Sequence, residues 1–282
     1  MKYRYDIYSG TTKIKTKAIG ALSVLILGIT SLALPLTFSN VAGAAKPSVP
    51  PSDLATAANG TYSVPGNAKL KMRVFVHGSN KNKPLAITSL SLSCNLSDPD
   101  STVPDGVTGW YLPTGNWTYR LNTGSAPSLI GGANLAILAS NSFNTWSTPD
   151  VSSKVNFVKG LNTSTNRARY DGQNIISWGR TSGSALAVTY TWYYTATSQV
   201  AETDTIFNNK FAWAWSSQSN CAYQGYYDAQ NILTHELGHW VGLNDNYATS
   251  YANNTMFGYG SPTEVKKNSL ATGDTSTVNS IY

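Results

Sequence analysis

Three residues, His235, Glu236 and His239 in the string HELGH, constrain this 282-residue chain more than anything else in it. The chain holds only three His and three Glu, and at those frequencies HExxH would arise by chance roughly 3 times in 10,000, so the string is read as a built feature. An α-helix turns once every 3.6 residues, so positions 235 and 239 project from one face, one turn apart. Two imidazoles at that spacing can share one tetrahedral zinc ion, with Glu236 beside it as the base that metal-assisted hydrolysis needs. The string therefore demands a helix, and its flanks supply one. Asp228 is a good N-cap, and Ala229, Leu233, Leu237 and Trp240 recur at three- and four-residue spacing as a packing stripe beside the histidine face.

A catalytic zinc site needs a third protein ligand and an open position. Asp245 is the candidate. Gly242, three residues after His239, can take the left-handed conformation that ends a helix and turn the chain back, so that a carboxylate at 245 reaches the ion. Glu264 is a weaker alternative, because Pro262 stands just before it. His77, the remaining histidine, lies in the strand-like LKMRVFVHGSN and is read as a surface or leader residue rather than a ligand.

The rest of the chain alternates short strand-like and helical stretches. Residues 117–121, 155–158, 174–178, 185–194 and 200–207 are rich in β-branched and aromatic residues, whereas 129–146 carries a helical stripe. One helix among several strands, followed by a helical C-terminal half, predicts an α+β domain. All eight Trp lie at or beyond Trp110, and residues 46–66 are proline-rich without apolar periodicity, so the main core is expected to begin near residue 105. Residues 45–104 are read as a leader, either a pro-segment or an N-terminal extension, and 105–282 as the catalytic domain.

The net charge of +6 is local. Lys2, Arg4, Lys13, Lys15 and Lys17 against Asp6 give residues 1–45 a charge of +4, which leaves +2 for everything after them and argues against nucleic-acid binding. The same basic stretch precedes an apolar run at 18–36 and then Ala42 and Ala44, the pattern of a signal peptide over 1–44 or of a signal anchor. The protein is thus expected to be secreted or, if the segment is not cleaved, membrane-anchored and facing outside. Cys94 and Cys221 suit that compartment as a candidate disulfide, with Cys94 on the apolar face of a strand in LSLSCNL.

HELGHWVGLND resembles the extended zinc motif of the metzincin metallopeptidases, HExxHxxGxx followed by His or Asp, in the snapalysin-like variant with Asp as third ligand. ETDTIFNN at 202–209 is similar to the strand before the active-site helix in the matrixin-like branch. NTMFGYG places Met256 where the family's Met-turn would lie, WTYRLN and the helix to FNTWS resemble its first strand and helix, and the tail LATGDTSTVNSIY resembles its closing helix. The resemblance implies a twisted, mostly parallel sheet with a few helices, an active-site helix and a Met-turn. It implies zinc held by His235, His239 and Asp245, Glu236 as general base, and Met256 and Gly242 in support. The implied protein is a secreted zinc endopeptidase, a monomer acting on protein or peptide substrates, with Zn2+ as cofactor and structural Ca2+ as a further candidate. Around Cys94 there is no PRCGxPD-like cysteine switch, and Tyr259, three residues past Met256, is read as a packing residue. FAWAW at 211–215 is a candidate edge or rim of the substrate cleft. The rival function is a catalytically silent extracellular module that keeps zinc as a staple, against which the intact Glu236 argues.

Overall fold

Stretches dense in Val, Ile, Thr, Tyr and Trp favour a pleated, half-buried surface, and the computed structural model builds its main sheet from them. It describes residues 49–80, 90–148, 150–151 and 155–282; the expected signal segment at 1–44 lies outside them. In chain order the elements are β1 (Gly60–Ser63), β2 (Leu70–Ser79), β3 (Leu92–Ser93), β4 (Gly115–Leu121), α1 (Gly131–Thr145), β5 (Val155–Lys159), β6 (Asn174–Gly179), β7 (Ala185–Tyr194), β8 (Val200–Asn208), β9 (Trp213–Ala214), β10 (Ala222–Tyr223), β11 (Tyr227–Asp228), α2 (Ala229–Trp240), β12 (Tyr259–Gly260) and α3 (Thr272–Ile281).

An eight-stranded sheet runs in the order β1-β2-β7-β8-β6-β4-β5, with β12 beside β2. The β5-β4-β6-β8 part is parallel. From β8 onward the pairing reverses: β7 is antiparallel to β8, β2 to β7 and β1 to β2. The sheet is therefore mixed rather than mostly parallel, and much of its antiparallel half comes from residues expected to form a leader. Pairing with β7 extends along β2 from Leu70 opposite Tyr194 to Gly78 opposite Ala185. The core accordingly does not begin near residue 105, since Met72, Val74 and Phe75 are fully buried and Lys46–Tyr282 form one compact unit.

Helices α1 and α2 cover one face of the sheet over an aromatic-rich core that includes Trp117, Phe143, Trp178, Phe207 and Trp240. The other face is closed by Leu54, Ala57, Tyr62 and Val64 over Val188, Tyr190 and Trp192. A strand covered on both faces cannot alternate apolar with polar, which accounts for the continuous burial of β7 from Ala185 to Trp192.

Three further expectations need correction. The strand expected around LSLSCNL shrinks to β3, with Leu90 and Leu92 exposed and Cys94 on the surface, where it is joined to Cys221. Trp213 and Trp215 of FAWAW are buried rather than at a rim; β9 pairs with β11, and β11 leads directly into α2. The C-terminal part is less helical than expected, because α2 and α3 are separated by a long irregular stretch.

Candidate metal centre

All twelve residues of α2 are buried. The Asp228 carboxylate caps its start, accepting from the Asn231 amide at 2.9 Å. On the α1 side, the Trp146 indole donates to the Thr234 carbonyl at 2.8 Å. The opposite side turns His235, Glu236 and His239 toward β2 and β7.

Each histidine is fixed by a main-chain carbonyl. Nδ1 of His235 lies 2.7 Å from the Thr255 oxygen, and Nδ1 of His239 lies 2.9 Å from the Leu243 oxygen. A carbonyl can only accept, so in the neutral rings Nδ1 carries the proton and Nε2 keeps a bare lone pair aimed inward. Those two Nε2 atoms sit 3.1 and 3.4 Å from Oδ1 of Asp245, yet neither they nor that oxygen makes a hydrogen bond. Lone pairs facing one another in a buried space repel unless a cation lies between them. Ligands about 2.1 Å from a tetrahedral zinc stand about 3.4 Å apart, and the two histidine-to-aspartate spacings match that separation. Gly242 brings these groups together: at φ +103° it turns the chain so that Leu243 presents its carbonyl to His239 and Asp245 returns to the two histidines.

Glu236 is fully buried, and Thr189 of β7 donates to its Oε2 at 2.6 Å. Behind Thr189 stands the Thr205 hydroxyl at 2.7 Å, and the Trp240 indole donates to Thr205 at 3.0 Å. Since the indole can only donate and an ionised carboxylate can only accept, the three donors line up toward Glu236. Oε1 remains without a hydrogen bond. Burial pushes the Glu236 carboxyl up to about 7, opposed by His239 and by the Thr189 hydrogen bond.

Below the site lies Met256, fully buried against Gly238. A Cβ at Gly238 would meet the Met256 sulfur at 2.1 Å, so the fourth residue of HELGH must be glycine for the methionine to fit. The turn carrying Thr255 and Met256 is held by Asp274 of α3, whose carboxylate accepts from the amides of Thr255 (3.0 Å) and Met256 (3.4 Å). Asp105 grips the loop between Asp245 and that turn, its Oδ1 accepting from the side chains of Asn246 (2.7 Å) and Asn254 (2.9 Å). The roles of Thr189, Asp105 and Asp274 had no spacing signal; only the acidic third position of α3 hinted at Asp274, as a helix-capping residue.

His77 corrects a further expectation. It is fully buried, not on the surface, and its ring packs 3.9 Å from that of His235 with Nδ1 3.7 Å from Oε1 of Glu236. Neither of its nitrogens makes a hydrogen bond. Among the described residues His77, His235 and Asp245 form a group able to hold one metal ion, their ligand atoms all lying within 4.8 Å of one another. Glu264 is engaged elsewhere, by Lys267 at 2.7 Å and Asn231 at 3.3 Å. Tyr259 packs over Gly78 and against the rings of Tyr247 and Phe257.

Neither the protein-family models nor the curated proteins provide a match to this chain.

Proposed function

We propose that the protein is a zinc-dependent endopeptidase with a metzincin-like catalytic domain, exported from the cell. The observation that carries this reading is the convergence of bare, buried ligand atoms from His235, His239 and Asp245 beside a carboxylate with one free oxygen. Zinc bound there would supply a Lewis acid that polarises a peptide carbonyl and lowers the pKa of water. Main-chain carbonyls orient His235 and His239, and the third ligand, Asp245, follows the Gly242 turn. Glu236 takes the proton of the attacking water on its free Oε1 and delivers it to the leaving amine, while Thr189 holds the other oxygen still. The HELGHWVGLND motif and Met256 packed beneath the helix support the family likeness, and the Cys94–Cys221 disulfide suits an oxidising compartment.

The test is casein cleavage by the zinc-loaded chain and by Glu236→Ala, each assayed before and after mild trypsin treatment and quenching. One zinc per chain in both proteins, with cleavage by the parent alone, is the expected result. Equal zinc with no Glu236-dependent cleavage in either state would favour the silent zinc-containing module.

A further inference from the structure

Every group proposed to act on a substrate is buried in the described chain. His235, Glu236 and His239 are 0% exposed and the Asp245 side chain 4%. What buries them is largely β2. Its Phe75 ring lies flat on the His239 imidazole, with centroids 3.9 Å apart and planes within 6°, and two residues on, along the same strand face, His77 meets His235 and Glu236. The strand is clamped on both edges, by β7 on one side and by β1 and β12 on the other. Its pairing with β7 slips between His77 and Gly78, and irregularities of this kind re-aim a side chain.

We propose that His77 is a fourth ligand at the metal position and that β2 occupies the substrate slot, so that the chain described here is the latent form of the enzyme; this rests on the peptidase reading above. The His77 nitrogens make no hydrogen bond, and its imidazole shares a 4.8 Å cluster with the ligand atoms of His235 and Asp245; with His239, whose Nε2 lies 3.4 Å from the same Asp245 oxygen, it would complete a closed, four-ligand site. Departure of β2 leaves β7 and β12 with free edges facing each other across the metal position. An extended peptide would add there as a strand, antiparallel to β7 as β2 is, so the substrate class is an unfolded or extended polypeptide rather than a folded surface. The disulfide lies after β2 in the chain, at Cys94, so loss of β1 and β2 leaves the remainder cross-linked.

The test uses the full chain loaded with cobalt in place of zinc and reads the visible absorption of the metal. His77→Ala is expected to change the four-coordinate spectrum and to let acetohydroxamate perturb it, whereas the parent spectrum is insensitive to that probe. Because His77→Ala can fail to fold, the unmutated cobalt-loaded chain is also digested mildly. Release of the β2 fragment should produce the same spectral change and, in the zinc form, raise casein cleavage about tenfold or more. Identical spectra for parent and His77→Ala, or unfolding with loss of cobalt once β2 is released, would overturn the proposal. The expected spectral changes without any cleavage after β2 release would instead keep His77 as a ligand and sink the peptidase reading. Full cleavage by the intact chain would do the reverse.

Discussion

At the scale of single residues, the arrangement around His235, Glu236, His239 and Asp245 depends on groups outside that cluster. In the proposed peptidase Thr189 is a positioning residue: its hydroxyl donates to one oxygen of Glu236 and leaves the other for the proton transfer. Thr189→Val should lower kcat about tenfold to a hundredfold, with KM and zinc content unchanged, and Thr189→Ser should restore it; a KM effect alone would show that the hydroxyl does not aim the base. The clustering of His235, Glu236, His239 and Asp245 was legible in the sequence because helix geometry and one glycine turn bring near neighbours together. Thr189 and His77 were not, because each reaches the site through strand register. Nothing local in LKMRVFVHGSN tells a surface histidine from one laid across a distant helix.

Helix α2 and the turn beneath it behave as one packed element. Gly238→Ala would drive a methyl group into the Met256 sulfur, so the pair should lose about 1–3 kcal/mol in urea unfolding, and Met256→Ala in the same chain should return part of it. Additive losses would mean that the two do not share the space. Elements with a strong pattern were readable: α1, α2 with its Asp228 cap, and strands β4 to β8 fall where composition and spacing place them. The place of β2 in the sheet was hidden, because a run of strand-forming residues declares a strand but not its partner. The tryptophans of FAWAW misled for a related reason, since aromatic richness marks a buried core as readily as a binding rim.

Over the whole molecule, the segment from Asp98 to Asp105 is strapped to α3 and to Ser269 just before it. Thr272 donates its amide to Asp100 at 2.7 Å, and the Asp105 amide donates to the Thr277 hydroxyl at 2.7 Å. Burial, then the hydrogen bond and charge of Asp274, push the Asp105 carboxyl up to about 9 against the pull of Asn254. The folded state thus holds this proton more tightly than the unfolded chain, where an aspartate releases it near about 3.9. Its contribution to stability is complete below about pH 4 and is lost as pH rises toward 9. Asp105→Asn keeps a donor where the protonated carboxyl stands, so it should gain on the parent in urea midpoint between pH 5 and pH 8; an unchanged gap would remove Asp105 from this role. The bond between Cys94 and Cys221 also decides how the protein answers a mechanical load. Tension applied between the two ends would peel the strands before Cys94 and then pass straight to Cys221, a separation of 127 residues that the force never enters. About 440 Å of contour length would stay hidden in a pulling experiment until a reductant is added, so the parallel half of the sheet is shielded from a force that can still strip away the strand lying over His235 and His239.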